Sequence, residues 1–548
     1  MSGAWGPPVR ALRRSALAAV ALAAVAAVVP APAGARAKPL PALTPAPRDA
    51  LTRALETGRL GEAEYALERA RSLFRPAQVR EAFGTVVRPG PRDATLVLRD
   101  LAVRLRFLSG AARAEAERIL ARPDDGEVPI GNGWTAPPGN QRVECDANVC
   151  VHWVDRVGNP DRATTAFKDT VLSTLQDVWA EEIDTIGYRP PLDDSTSSND
   201  GGGPELDVYL DNVGSDGVFG YCTSDDPNAR NPTIFTVSAY CVLDNDYSAT
   251  QFGTSETPAD FLRVTAAHEF NHASQFAYDW LEDAWLLEGT ATNMEETVYP
   301  GVDDNVNFLR ASQLRRPAWP LDRGGFGDTE YGSWIFWRYL EEKAYGGDPG
   351  IIRRIWERAD ASAFGPDEYS LQATRRALLD DMKSLPDEYA SFAVANRLRD
   401  YLDGALYPVP PASEVVRLGP GTRSTGWRDW RLNHLTTRFI SLQPGPYGSK
   451  TAKLEVHVAL TRYGSRATLV SRYVGGAVEV RHIALGRRFG GGVRVPFGRG
   501  AVRRVDLVLT NGSSRIRSCF TRFGPPSYSC AGVPQDDGQI YSYRATVK

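Results

Sequence analysis

The sequence is poor in histidine, cysteine and methionine, with six, six and three of these residues among 548. It also lacks an excess of positive charge, since the net charge is −4 and acidic and basic residues are interspersed. Binding to a phosphate backbone needs a basic face, so this balance argues against a nucleic acid as the main partner. The length predicts two to four domains, and an apolar content of 42% can build more than one core.

Beyond residue 29 the sequence lacks long apolar runs, so no membrane span is expected in the mature chain. The apolar run over residues 15–29 follows three arginines and precedes small residues that allow cleavage after Ala35 or Ala37. It is shorter than the ~20 residues that a span needs. The pattern therefore predicts a secretory signal peptide over residues 1–35, with a membrane helix as the alternative. We expect a secreted, extracellular protein, and the abundance of Arg, Ala, Pro and Gly is typical of a high-GC bacterium.

The six cysteines are an even number, which in an exported chain indicates disulfide bonds. A zinc knuckle is disfavoured because no pair of cysteines is separated by two residues. Since neighbouring cysteines cluster along the chain, the expected pairs are Cys145–Cys150, Cys222–Cys241 and Cys519–Cys530.

Three patterned regions follow the signal peptide. Residues 36–130 show helical spacing of apolar residues and form either a propeptide or a permanent subdomain. This region lacks Cys and His, which excludes a cysteine latch on a metal. Residues 138–405 mix strands with long amphipathic helices, and residues 410–548 contain short strands separated by Gly and Pro turns. We therefore predict an α+β domain followed by an all-β sandwich.

Two of the six histidines lie in the stretch TAAHEFNHASQF, which starts at Thr265. Thr257 and Pro258 upstream are typical of a helix start, so this stretch is predicted to be helical. His268 and His272 are then four residues apart and project from one helical face. H-E-x-x-H on a helix is the pattern of two zinc ligands with Glu269 as a general base.

A third ligand is expected in the next helix, which contains WLLEGTA. Glu288 lies there among apolar residues, where a carboxylate is costly unless a cation pairs with it. Zinc bound by His268, His272 and Glu288 would leave a fourth position for water, whose pKa falls toward ~7. Glu295 and Glu296 are rival ligands, but they lie two helical turns further on, and Glu288 is preferred.

HEFNH followed by WLLEGTA resembles the gluzincin zinc metallopeptidases. More closely, it is similar to a group of secreted bacterial metallopeptidases with HEF-x-H-x-x-Q-F and W-x-x-E-G-x-A motifs, over residues 148–345. The resemblance implies a zincin-like catalytic domain, with a twisted sheet lobe over a helical lobe and one zinc ion between them. It also implies a hydrogen-bond donor to the transition state, a role that fits Tyr331. The alternative for Tyr331 is a capping and packing role.

The sequence departs from thermolysin-like enzymes in two respects. The gap from His272 to Glu288 is short, and Thr292 occupies the position of an aspartate that would orient a zinc-bound histidine. Either Asp279 or Asp283 is a candidate for that role. The remaining histidines are interpreted as structural; they are His152, His434, His457 and His482.

Two further features concern substrate and calcium. The strand at residues 238–243 precedes the H-E-x-x-H helix, and in zincins an edge strand at this point commonly pairs with extended substrate. LDNDYS, which starts at Leu243, offers two carboxylates and an amide to Ca²⁺. Its spacing does not match an EF-hand, so a solvated loop is the preferred interpretation.

The sequence therefore predicts a secreted zinc metallopeptidase acting on protein or peptide substrates. Two alternatives stay open. One is a zinc-binding but catalytically silent surface or adhesion protein that binds through the sandwich. The other is a metal-dependent hydrolase of a non-peptide amide or ester.

Overall fold

The computed structural model describes residues 43, 48–125, 133–231, 233–324, 328–446, 448–520 and 527–548. The predicted signal peptide, residues 1–35, lies outside these residues. Within the described ranges, no helix is both long enough and apolar enough to cross a membrane.

Residues 48–125 are mainly helical, which confirms the prediction for the described part of residues 36–130. Asp49 caps the first helix by accepting a hydrogen bond from the Thr52 N–H at 2.9 Å. The second and fourth helices pack together through the buried side chains of Leu73, Leu98 and Leu101. The helices are α1 (Ala50–Glu56), α2 (Glu62–Phe74), α3 (Pro76–Phe83), α4 (Ala94–Arg104) and α5 (Gly110–Ile119).

A five-stranded sheet follows, in the order β1-β2-β3-β5-β4. Its strands are β1 (Gln141–Cys145), β2 (Val149–Val154), β3 (Leu206–Asp211), β4 (Gly220–Thr223) and β5 (Tyr240–Asp244). The three inner strands are parallel, and the two outer strands are antiparallel to their neighbours. The prediction that residues 238–243 form an edge strand is wrong, because β5 pairs with β3 and with β4. The edge strands of this sheet are β1 and β4, and β4 is the one next to β5.

Helices dominate from residue 249 to residue 398. The Thr257 hydroxyl accepts a hydrogen bond from the Asp260 N–H at 3.2 Å and starts α8 as expected. Almost every side chain of α8 is buried, because this helix lies between the sheet and α9. The helices after β2 are α6 (Thr165–Trp179), α7 (Ala249–Phe252), α8 (Pro258–Asp279), α9 (Ala284–Val298), α10 (Thr329–Gly332), α11 (Trp334–Tyr339), α12 (Gly350–Ala359), α13 (Ser370–Asp380) and α14 (Leu385–Leu398).

The C-terminal part is rich in strands, as predicted. A five-stranded sheet (β11-β10-β13-β8-β6) and a four-stranded sheet (β12-β9-β16-β7) share one apolar core, and β14 pairs with β15. Leu454 and Tyr541 of one sheet belong to this core together with Ile440 and Leu507 of the other. The strands are β6 (Glu414–Leu418), β7 (Arg428–Leu432), β8 (Thr436–Pro444), β9 (Lys453–Ala459), β10 (Ser465–Tyr473), β11 (Val478–His482), β12 (Gly490–Pro496), β13 (Val502–Asn511), β14 (Ile516–Arg517), β15 (Val533–Pro534) and β16 (Gln539–Val547).

A buried arginine joins the N-terminal helices to the sheet. Arg122 forms ion pairs with Asp194, Asp207 and Asp225, and Asp207 lies on β3. Apolar side chains of α2 and α4 belong to the same core as those of β2, β3 and β5. The N-terminal helices are thus packed into the body of this α+β protein.

The three predicted disulfides are present: Cys145–Cys150, Cys222–Cys241 and Cys519–Cys530. The first closes the hairpin of β1 and β2, and the second joins the edge strand β4 to β5. Three disulfides fit an extracellular location.

Removing the disulfide between β4 and β5 is expected to lower the free energy of unfolding by about 3 kcal/mol. The closed loop spans 19 positions, and its entropy in the unfolded chain sets this magnitude. Urea unfolding of a Cys222→Ala/Cys241→Ala variant measures the change. As a matched control, Cys145→Ala/Cys150→Ala opens a loop of only 5 positions and should cost about 2 kcal/mol. Equal losses of unfolding free energy in the two variants, or a larger loss in Cys145→Ala/Cys150→Ala, would contradict the loop-entropy account.

Candidate metal centre

Helix α8 brings two imidazoles together. His268 and His272 are one turn apart, and their Nε2 atoms lie 3.1 Å from each other. Both side chains are buried, and the ring planes are inclined by 81°. Two such nitrogens cannot both carry a proton at this distance without repulsion, so at least one Nε2 lone pair faces the other ring.

Helix α9 adds a carboxylate to this pair. Oε2 of Glu288 lies 3.2 Å from the His268 Nε2 and 3.4 Å from the His272 Nε2. The ligand atoms of the three residues all lie within 4.8 Å of one another. Oε1 of Glu288 is buried and forms no hydrogen bond within the described ranges. These three side chains could hold one metal ion, and the structure brings together the residues that the sequence selected.

The other nitrogen of each ring has its own partner. Nδ1 of His272 lies 2.8 Å from Oε1 of Gln275. The Gln275 amide nitrogen donates to Asn271 and Thr290, so the oxygen can only accept from His272. Nδ1 of His268 lies 2.8 Å from the carboxylate of Glu295. Both Nδ1 atoms therefore donate, which directs the two Nε2 atoms toward Glu288.

The surroundings favour positive charge at the centre of this cluster. Burial alone would lower the pKa of His268, but the carboxylates of Glu288 and Glu295 raise it to about 10. Burial would raise the pKa of Glu288, but His272 and His268 lower it to about 2. The same field would favour a bound cation.

Glu269 lies beside the cluster, as expected. It is buried, and Oε2 accepts a hydrogen bond from the Thr95 hydroxyl at 3.0 Å. Burial raises its pKa, an effect that His268 and His272 partly offset. A carboxylate whose pKa is shifted toward neutrality is suited to exchanging protons.

Tyr331 also lies at the cluster. Its ring stacks on His268 with centroids 6.1 Å apart and on Phe308 with centroids 5.0 Å apart. Its hydroxyl is buried and lies near the carboxylate of Asp93. Burial and the carboxylates of Glu288 and Asp93 raise the pKa of this phenol. The hydroxyl therefore stays protonated and is a hydrogen-bond donor.

The structure separates the two rival third ligands. Glu295 contacts Nδ1 of His268, whereas the Glu296 carboxylate accepts a hydrogen bond from Asn305 and faces Arg338. Burial raises the pKa of Glu296 to about 8.

Neither predicted orienting aspartate contacts a histidine of the cluster. The Asp279 carboxylate accepts from the Leu281 N–H, and the Asp283 carboxylate accepts from Ser370 and from the Cys530 N–H. The orienting partners are instead Glu295 and Gln275. Sequence spacing contained a signal for both: Gln275 follows His272 by three residues, and Glu295 lies two turns after Glu288 on the same face.

The remaining candidates have other partners. Asp244 of the LDNDYS stretch accepts hydrogen bonds from the N–H groups of Gly214, Asp246 and Tyr247. Among the described residues, the cluster on α8 and α9 is the one group of three or more His, Cys, Asp or Glu side chains that are placed to hold a metal ion. The other histidines contact side chains elsewhere, which are Asp207 for His152, Asp322 and Asp537 for His434, Glu455 for His457 and Thr468 for His482.

No family profile matches this chain, and no curated protein sequence matches it. Solved structures with partial similarity include the periplasmic g-type lysozyme inhibitor PliG of Aeromonas hydrophila, at 10% identity, covering 25% of this chain and 96% of that one with a TM-score of 0.16. A mutant PliG of Escherichia coli aligns at 12% identity over 25% and 100% with a TM-score of 0.15. A GH115 4-O-methyl-α-glucuronidase aligns at 9% identity, covering 56% of this chain and 45% of that one, with a TM-score of 0.14. No inference about this chain follows from likenesses of this size.

With divalent ions removed by a chelator, the protein is expected to lose stability as the pH rises from about 6.5 to about 10. The pKa of His268 is raised in the folded state, so its contribution is complete below the unfolded pKa and disappears above the folded one. The slope from one group is at most about 1.4 kcal/mol per pH unit. Urea unfolding across this range should show a shallower slope for His268→Gln. The partly exposed His457→Gln, outside the cluster, is the control, and a wild-type slope in both variants would refute the assignment.

Proposed function

We propose that the protein is a secreted zinc metallopeptidase that hydrolyses peptide bonds with water. The observation that carries this proposal is the convergence of His268, His272 and Glu288, with both Nδ1 atoms tied by Gln275 and Glu295. The three disulfides support an extracellular location.

The donor set fits zinc in type and in spacing. Two imidazole nitrogens and one carboxylate oxygen form a common catalytic zinc set. Metal–ligand distances of about 2.0–2.1 Å in a tetrahedron place neighbouring ligand atoms about 3.3 Å apart. The three separations here are 3.1, 3.2 and 3.4 Å. The Nδ1–H groups of His268 and His272 donate hydrogen bonds to Glu295 and Gln275, which leaves both Nε2 lone pairs available to bind the metal.

The surrounding residues have complementary roles in the proposed reaction. A bound zinc ion would supply positive charge that polarises a carbonyl and acidifies water. Glu269 takes a proton from the attacking water and returns it to the leaving amine. Tyr331 donates a hydrogen bond from its phenol to the oxyanion that develops.

The fold supports the same proposal. We propose that β1–β5 form the sheet lobe and α9–α14 the helical lobe of a zincin-like domain. Helix α8 lies between them and contacts both β4 and α9. The cluster thus lies at the junction, where a groove between lobes would admit a peptide.

Cleavage of a mixed peptide library by the purified secreted protein tests the activity. Glu269→Gln keeps the size of the side chain but cannot accept the proton, so it should retain zinc and lose at least about 100-fold in turnover. As a control, the exposed Glu357→Gln should keep both its zinc and its turnover. Full turnover in Glu269→Gln would refute the mechanism. Zinc-free protein without activity would refute the function.

The carboxylate of Glu295 is expected to set zinc affinity through His268. Glu295→Gln weakens the charge-assisted hydrogen bond to Nδ1, which should reduce zinc affinity about 10- to 100-fold. Competition with a chromogenic chelator measures the affinity.

Glu296→Gln is the matched control, because the neighbouring Glu296 already holds a proton near neutral pH, with a pKa of about 8. Its zinc affinity should be unchanged. Equal losses in the two variants would contradict the orienting role of Glu295.

A further inference from the structure

The proposed catalytic centre is covered by the chain's own N-terminal segment, defined here as residues 48–125. His268, Glu269, His272, Glu288 and Tyr331 are each at most 3% exposed. A peptide substrate needs access to all of these groups. A segment that contacts these groups from outside the sheet and α9 therefore occupies the position of a substrate.

The closest contact comes from the first turn of α4. The Thr95 hydroxyl donates to the Glu269 carboxylate at 3.0 Å. The Thr95 hydroxyl oxygen also accepts a hydrogen bond from the Cys222 N–H, at 3.0 Å. Thr95 thus engages the proposed general base and the edge strand β4 with a single group.

The rest of the cover follows the same edge. The Pro91 carbonyl accepts from the Phe219 N–H, next to the start of β4, at 3.1 Å. An edge strand with free N–H groups is what an extended peptide binds by backbone pairing. Here Pro91 and Thr95 use two such N–H groups, which are therefore closed to any other chain.

Two arginines, Arg92 and Arg99, anchor the stretch of residues 91–99 near its two ends. Arg92 forms ion pairs with Glu295, the partner of His268, and with Asp304. Arg99 donates to the Glu282 carbonyl at 2.8 Å, in the connection between α8 and α9. The stretch therefore crosses the centre from the edge strand to the far end of α8.

We propose that the N-terminal segment is an intramolecular inhibitor, and that residues 91–99 occupy the substrate position. This inference rests on the proposed function, because an inhibitor presupposes a substrate. The polar contacts at Thr95 imitate those of a peptide while offering no scissile bond at the centre. Activation then requires a cut after residue 125 and departure of the segment.

A full-length variant with a recognition site for a specific protease within residues 126–132 tests this inference. Uncut protein should hydrolyse a quenched peptide slowly, with a rate proportional to its concentration. After the cut the segment is no longer tethered to the rest of the chain. Dilution to low nanomolar concentration should therefore let it dissociate over hours and raise the specific activity at least about tenfold. Transfer of zinc to a chelator should accelerate in parallel, as a readout independent of turnover.

Thr95→Val in the uncut chain gives a second test with a defined sign. An inhibitory Thr95 predicts a rise of roughly tenfold in basal hydrolysis, since bonds to Glu269 and Cys222 are lost. A Thr95 that positions Glu269 in the active enzyme predicts a fall. Arg80→Ala, on an exposed position of the same segment, should change nothing.

The outcomes separate the two proposals. Equal hydrolysis and zinc release before and after the cut, or a fall with Thr95→Val, would overturn the inhibitor and leave the metallopeptidase standing. Absence of zinc and of hydrolysis in every form would overturn both.

Discussion

Two imidazoles and a carboxylate within 3.4 Å of one another, fully buried, form a stable arrangement only if each ring has one orientation. Glu295 on α9 imposes that orientation on His268, and Gln275 on α8 itself imposes it on His272. Gln275 in turn is held by Asn271 and Thr290. The packing of α8 against α9 is therefore a requirement of the site.

The C-terminal region contributes to that packing. The indole N–H of Trp285, in the first turn of α9, lies within hydrogen-bond distance of Ser370 and Ser529. Asp283, just before α9, accepts from the Cys530 N–H. The helix that carries Glu288 is thus anchored at its start by residues almost 250 positions later in the chain. The β-rich region supports the site even though it supplies no ligand to it.

Local sequence patterns made the position of helix α8, the residues of the cluster and the disulfide pairs predictable. Thr257 marks the helix start, four-residue spacing places His268 and His272 on one face, and an isolated acid in an apolar stretch identifies Glu288. Neighbouring cysteines paired as expected because short loops close at low entropic cost. These inferences depend on interactions within a turn or a hairpin.

The contacts that sequence reasoning missed are those between distant segments. Thr95 and Glu269 are 174 positions apart, and no periodicity links them. The edge position of β4 also depends on strand order, in which β5 inserts between β3 and β4. Such order follows from the whole sheet and is not visible in a strand's own residues.

The ion pairs of Arg122 have a kinetic consequence. This side chain lies near the end of the N-terminal segment and pairs with three carboxylates of the body, of which those of Asp194 and Asp207 are buried and that of Asp225 is partly exposed. Breaking such contacts leaves buried charges without partners, which makes separation slow even where the final state is favourable. A cleaved chain would therefore have a long residence time as a two-piece complex. The delay before the site opens would be set by dissociation of the segment, and the rate of cutting would contribute little to it.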